Sequence, residues 1–366
     1  MGTSKTKRRI KRALRVFGIL AILLSLFPLI AADYWWIRVF DFPHLQLTAL
    51  TLLAILVYLW KFEIRLLNDY AFIGVLLACL AFQVYKIFPY TPLAPVQVPQ
   101  AEEGEDSGFT LFAANVLQSN TADSLVIREL QEVKPDLVVL TETNRRWESA
   151  LREFTESRYP YRSLAPLENT YGMLLYSKIP LVDPKVRYIV DDSIPSIHTG
   201  LALPGGDTLQ LYAIHPTPPM PQHNPMSTDR DAELMRIAKL SRHHNRPVMV
   251  VGDFNDVSWA GSTQLFQRVG RFLDVRQGRG FYNTFDAKNY LLRWPLDHLF
   301  VQPGIRVAEW KRGNDIGSDH FPIIATITLR QDDRAKVEVP DASAADLETA
   351  SEIIGEEIKQ DREQER

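Results

Sequence analysis

Three apolar runs open the chain: Val16 to Ala32, Leu45 to Trp60 and Ala71 to Ile87. Each is 16 or 17 residues long, and their one strong cation, Lys86, stands at an end from which its ammonium can snorkel. Tyr34, Trp35, Trp36 and Phe40 follow the first run, and Tyr58, Trp60 and Phe62 close the second, as an interfacial aromatic belt would. The pattern predicts three transmembrane helices over 16–88. A secretory signal peptide also has a basic flank and an apolar run, but the two further runs favour spans. Three buried helices of a soluble domain are the other reading.

Beyond Ile87 the pattern changes twice. The segment 89–107, with Pro-Tyr-Thr-Pro-Leu-Ala-Pro followed by Glu102, Glu103, Glu105 and Asp106, is expected to be an extended linker that lifts the next domain off a bilayer. From 108 to 330 short apolar strands alternate with amphipathic stretches. Strands are predicted at Thr110–Ala114, Leu137–Leu140, Gly172–Tyr176, Gly200–Leu203, Leu209–Ile214, Pro247–Val251, Leu299–Gln302, Ile305–Trp310 and Ile323–Leu329. Helices are predicted near Ser124–Val133, Arg145–Thr155 and Arg230–Arg242, which makes a layered α/β domain. Residues 331–366, rich in Asp and Glu, are expected to be a disordered tail with one weak helix near Ala344–Lys359.

Charge sharpens the organisation. The balance of basic over acidic residues is about +7 before residue 100, about −3 from 100 to 330 and about −7 beyond. Lys5, Lys7, Arg8, Arg9, Lys11, Arg12 and Arg15 form a basic N-terminus over 1–15, expected to stay cytoplasmic. Three spans then place the remainder outside the cytoplasm, on a multi-pass protein of the inner (plasma) membrane with a periplasmic or extracytoplasmic domain. The middle is not basic, which counts against a nonspecific, high-affinity binder of duplex nucleic acid. One cysteine, Cys79, excludes an intramolecular disulfide framework and a Cys-rich zinc site.

Polar residues recur where strands run out. Gly252-Asp253-Phe254-Asn255 follows the Pro247–Val251 strand, and alternation puts the Asp253 carboxylate and the Asn255 amide on one side of its end. Alone this is as well explained by a Gly-Asp turn. Asn115 ends the first strand, Glu142 ends Leu-Val-Val-Leu-Thr, and His215 ends Leu-Tyr-Ala-Ile and opens a proline-rich loop. Each also has a structural explanation, as turn former, helix-start acid or packed histidine. Asp297-His298 and Ser318-Asp319-His320 precede two later strands. Carboxylates with an amide suit Mg²⁺ or Mn²⁺, and an adjacent acid and histidine suit proton transfer, so the set fits metal-assisted hydrolysis of a phosphate ester.

The ordered set Asn115, Glu142, His215, Gly-Asp253-Phe-Asn255, Asp297 and Ser-Asp319-His320-Phe-Pro resembles the endonuclease/exonuclease/phosphatase superfamily, over about residues 108–330. The resemblance implies an α/β (α+β) four-layer sandwich, two packed mixed β-sheets flanked by helices. It implies Glu142 as the main metal ligand, with Asn115 and Asp319 in the same shell. Asp253 would position or deprotonate the attacking water, with Asn255 holding the water or a phosphate oxygen. His320, oriented by Asp297, and His215 would meet the charge of the transition state. Thr141 stands where the family usually has Gln, and His298 where an aromatic Tyr is common; His298 fits a strand-end residue better than a substrate contact. Tyr171, before Gly-Met-Leu-Leu-Tyr-Ser-Lys178, is placed to reach the site.

The expected protein is a membrane-anchored phosphoesterase whose substrate is nucleic acid, a phospholipid head group or a small phosphate ester, with no protein partner. A noncatalytic membrane-anchored scaffold is the alternative, and the intact set of site residues counts against it.

Overall fold

The computed structural model describes residues 2–30, 33–102, 108–220, 225–330 and 337–364. The chain begins with α1 (Gly2–Leu26), the short α2 (Trp35–Arg38), α3 (His44–Leu59) and α4 (Leu67–Ile87). The first helix carries the basic N-terminal residues on its opening turns. Small and branched residues, Ala21, Ala54, Ile55 and Leu76, meet between α1, α3 and α4, where a missing side chain lets backbones approach. Outward-facing Leu20, Leu23, Leu52, Leu56 and Leu77 are about half exposed. That is an inverted burial pattern for water and a suitable one for lipid. Lys5–Leu29 and Leu67–Tyr90 are each long and apolar enough to cross a membrane, and α2 with α3 makes a third candidate if the bent pair is one span. At one end of the bundle the buried Asp69 carboxylate accepts from Lys11, Arg15 and Tyr58, so one acid ties three helices.

The layered domain follows as β1 (Phe109–Asn115), α5 (Asp123–Val133), β2 (Leu137–Thr141), α6 (Arg145–Glu156), β3 (Tyr161–Ala165), β4 (Met173–Ser177), β5 (Leu181–Arg187), β6 (Ser196–Ala202), β7 (Thr208–Ile214), α7 (Thr228–Arg242), β8 (Val248–Asp253), α8 (Gly261–Gly270), β9 (Leu273–Asp274), β10 (Asp297–Val301), β11 (Ile305–Arg312) and β12 (Ile323–Leu329). One sheet runs β11-β12-β1-β2-β4-β3 and the other β5-β6-β7-β8-β10-β9. Each has a parallel pair at its centre, β1 with β2 and β7 with β8, flanked by antiparallel strands. Leu111, Val139, Leu175, Leu211, Met249 and Leu299 are among the inner-face residues that pack the sheets together. The opposite faces take α5 and α6 on one side and α7 and α8 on the other. The expected four-layer sandwich of mixed sheets is present. Its consequence for function is positional: β1, β2, β7 and β8 end, and β10 begins, at one edge of the sandwich.

Two expectations are corrected. The linker does not stand off as a spacer. Val98 is fully buried, Gln97 accepts from the Asp274 amide at 2.7 Å, and Val307 of β11 accepts from the Ala101 amide and donates to the Pro99 carbonyl, both at 3.1 Å. Its polar composition hid the few apolar anchors that dock it; Glu103, Glu105 and Asp106 lie outside the described residues. Nor is the tail disordered from 344 onward: the helix expected near Ala344–Lys359 is present as α9 (Ala344–Gln364), and it packs Leu347, Ala350, Ile353 and Ile354 on the core beneath α7 and α8. Its acids meet basic partners there, Asp346 with Arg268 at 2.7 Å and Glu357 with Arg236, so the acidic run complements a basic face. Asp332 and Asp333 lie outside the described residues.

Candidate active site

The Gly252 position shows why the sequence needs Gly-Asp at the end of β8. Its φ is +147°, and a Cβ there would lie 1.9 Å from the Ile214 carbonyl oxygen of β7. Only glycine lets the two parallel strands stay this close where they end. Asp253 then emerges buried, with Oδ1 accepting from the Asn255 amide at 3.0 Å. Phe254 turns inward against Phe266, Phe300 and His298, so the intervening residue of the motif is core.

Around Asp253 the structure gathers residues from five other chain segments. The Asn115 amide spans the two sheets, donating to Glu142 Oε1 at 2.7 Å and to Asp253 Oδ2 at 3.1 Å. Asn115 is held in turn by the Leu117 amide, which donates to its Oδ1 at 3.0 Å. Nε2 of His215 and Nε2 of His320 lie 3.7 and 3.6 Å from Asp253 Oδ2. His320 Nδ1 is 2.7 Å from Asp297 Oδ2, and the pairing of β10 with β8 sets Asp297 directly opposite Asp253. Ser318 orders the loop before β12, with Oγ donating to the Asn115 carbonyl at 2.8 Å and accepting from the His320 amide at 3.0 Å.

The electrostatics follow from burial and these neighbours. Burial raises Asp253 above the ordinary carboxylate range, against the attraction of His320 and His215. Burial likewise raises Glu142, helped by the negative charges of Asp253 and Asp319 and opposed by the Asn115 hydrogen bond. Burial pushes His320 down, but Asp297 and Asp253 outweigh it and its pKa is raised to about 10. His320 is therefore an imidazolium at neutral pH.

Two donor sets compete for a cation. Asp253, Asp297 and His320 offer atoms within 4.8 Å of one another. An imidazolium has no lone pair to give, however, and Asp297 Oδ2 is engaged by His320. Glu142 fits better: it is only partly buried, and Asp253 and Asp319 both repel its charge, a repulsion that a dication relieves.

The other predicted residues divide. Asn255 Nδ2 donates to the Pro216 carbonyl at 2.9 Å and fixes the loop after His215, while Asn255 itself borders the cleft. Tyr171 reaches the site, with its ring 5.4 Å from that of His215. His298 is buried away from the cleft. Its Nδ1 accepts from Arg276 at 2.9 Å, so Nε2 carries the proton and donates to the Asp256 carbonyl at 2.8 Å. Arg276 also donates to the Asp297 carbonyl at 2.6 Å, and the two residues form a strut beneath the site.

The cleft over these groups has a volume of about 620 Å³. Strand-end reasoning missed its far wall: Trp35, Arg38, Val39 and Phe42 from the segment after α1, with Met220, Phe285 and Trp294. The aromatic cluster at 34–40 was a visible signal, but it suggested a membrane interface rather than a wall of the site.

Two mixed sheets back to back, with acids, an amide and two histidines gathered at their common end, match the architecture that the sequence resemblance implied. A family model described as the Endonuclease/Exonuclease/phosphatase family matches residues 111–320, and the chain belongs to that family. Its members are typically hydrolases of phosphate esters and use divalent metals. Among solved structures, D. rerio TDP2 humanized by 14 mutations is similar at 16% identity and a TM-score of 0.51, covering 61% of this chain and 100% of that one. D. rerio TDP2 complexed with single strand DNA product is similar at 18% identity and a TM-score of 0.50, with the same coverage. At these identities the likeness is one of fold. No curated protein sequence matches the chain.

Proposed function

We propose that the protein is a membrane-anchored, divalent-metal-dependent phosphoesterase with its catalytic domain outside the cytoplasm. One observation carries the chemistry: an ionised His320, held by Asp297 at 2.7 Å, faces a buried carboxylate, Asp253, whose affinity for protons is raised. A carboxylate made more basic by burial and an imidazolium kept protonated by two acids, side by side in one cleft, suit proton removal from water and proton delivery to a leaving oxygen.

Asp253 orients the water and takes its proton as the water oxygen attacks phosphorus. His320 donates to the departing oxygen as the P–O bond breaks, and His215 meets the charge on the phosphoryl oxygens. Asn115 keeps Glu142 and Asp253 in register. Glu142, with Asn115 and Asp319 beside it, would hold Mg²⁺ or Mn²⁺, which when bound neutralises the phosphate's charge. Asn255 holds the loop that carries His215.

The topology rests on charge and connectivity. With the basic start of α1 in the cytoplasm, the 33–43 segment and the end of α4 emerge on the opposite face. Both of these segments bond the layered domain, Trp35 N to the Pro225 carbonyl at 2.9 Å and Tyr90 OH to the Ser258 carbonyl at 2.8 Å. Purified full-length protein should hydrolyse a phosphate ester with Mg²⁺ or Mn²⁺ and stop on chelation. A panel of DNA, phospholipid and soluble esters that all stay intact would refute the reading. Protease added outside spheroplasts should cut the layered domain, and protection there would reverse the orientation.

A further inference from the structure

The wall opposite the catalytic groups belongs to the helical part of the protein. Trp35, Val39 and Phe42 lie between the end of the first apolar helix and the start of the next, and they border the cleft that holds Asp253 and His320. The segment is fastened to the layered domain at several points. Ser227 N donates to the Asp33 carbonyl at 2.8 Å, Trp259 Nε1 to the Asp41 carbonyl at 2.6 Å, and Arg38 pairs with Asp33 at 2.9 Å and approaches Asp231 at 3.6 Å. The wall is a fixed part of the site.

Its chemistry is unsuited to a small hydrophilic ester. Trp35 is 37% exposed, Val39 42% and Met220 45%, and all three line the cleft. Exposed apolar side chains next to a charged centre form a two-ended surface, polar at the phosphate and hydrocarbon-like beyond it. A nucleic-acid strand would instead need a track of cations, and Arg38 is already committed to carboxylates. With the apolar helices spanning a bilayer as proposed, the apolar end, where α1 stops and α3 starts, would lie at the level of its surface.

We propose that the substrate is a membrane amphiphile, a phosphate ester whose hydrocarbon chain lies against Trp35, Val39, Phe42 and Met220 while its phosphate reaches Asp253 and His320. The inference rests on the phosphoesterase reading and names its substrate class. Hydrolysis adds water across one P–O bond, the oxygen going to phosphorus and a proton to the leaving oxygen, so no further reactant is required.

The test uses full-length protein in detergent with Mg²⁺ and three diesters sharing one leaving group: methyl, hexadecyl and thymidine 5′-yl p-nitrophenyl phosphate. The hexadecyl ester should exceed the methyl ester at least about tenfold in kcat/KM, since several methylenes are buried. A long chain also concentrates in the protein's own micelles, so the decisive reading is the hexadecyl-to-methyl ratio in variants. Val39→Asp should cut that ratio at least about tenfold and Val39→Leu should retain it. An unchanged ratio in Val39→Asp, equal rates on the methyl and hexadecyl esters, or preference for the thymidine ester overturns the inference while leaving the phosphoesterase reading intact. If none of the three esters is hydrolysed, the phosphoesterase reading fails and the inference falls with it.

Discussion

Replacing Asp297 by Asn keeps an oxygen for the Nδ1–H of His320 and removes the charge behind it. Burial disfavours the imidazolium, yet Asp297 and Asp253 raise its pKa from 6.5 to about 10, a displacement equivalent to about 5 kcal/mol. Asp297 lies at 2.7 Å and Asp253 at 3.6 Å, so Asp297 carries the larger part. Losing half or more of that preference lowers the pKa of His320 by about two units. The sign follows from the direction of the shift: a raised histidine keeps its proton below its folded pKa and loses it as pH rises. The wild type therefore holds the imidazolium through the neutral range, and the variant surrenders it on the alkaline side. Steady-state hydrolysis of a phosphate diester with an alcohol leaving group, across about pH 6 to 9.5, reads this directly, because an alkoxide leaves only with a proton. Near neutrality the variant should lose about 10²-fold in kcat/KM through poorer orientation and proton donation, and about tenfold more by pH 9. A variant-to-wild-type ratio that stays flat with pH would show that Asp297 supplies something other than charge, and the reasoning would fail.

Other residues give independent checks. Glu142→Gln should raise the Mg²⁺ concentration for half-maximal turnover by about tenfold or more, as a metal titration would show, and an unchanged midpoint would place the cation elsewhere. Gly252→Ala forces a Cβ to within 1.9 Å of the Ile214 oxygen; a loss of at least about 2 kcal/mol is expected, visible as a lower thermal midpoint in detergent. Ala350, fully buried under α7 and α8, anchors α9. Ala350→Asp should release the helix, with faster proteolysis at the C-terminal end and little change if α9 were only loosely placed.

Most of the sandwich was legible because its central strands are short, wholly apolar and bounded by polar ends, as in Val-Met-Val-Val before Gly252. Of the edge strands β11 was legible, and β3, β5 and β9 were not. The residues of β5, Leu181–Arg187, are mostly exposed and include Asp183, Pro184, Lys185 and Arg187, so no apolar alternation marks them. Nor was α8 visible, since Leu265, Phe266 and Val269 are too few to establish a helical period in ten residues. The candidate site residues stood out because polar groups concentrate at strand ends, whose order along the chain is local information. The contribution of Trp35, Val39 and Phe42 was not, because it depends on how the helical segment docks. That docking rests on backbone bonds such as Ser227 N to Asp33 O, which leave no trace in residue type.

The measurement closest to the central claim compares wild type, Asp253→Ala and His320→Ala, all full-length, for hydrolysis of a phosphate diester with an alcohol leaving group, with Mg²⁺ and after chelation. Metal-dependent turnover should appear in the wild type and fall about 10²- to 10⁴-fold in each variant, with thermal unfolding showing that both remain folded. Turnover that survives either substitution, or is indifferent to chelation in the wild type, would contradict the assignment of this cleft as the place where the phosphate ester is broken.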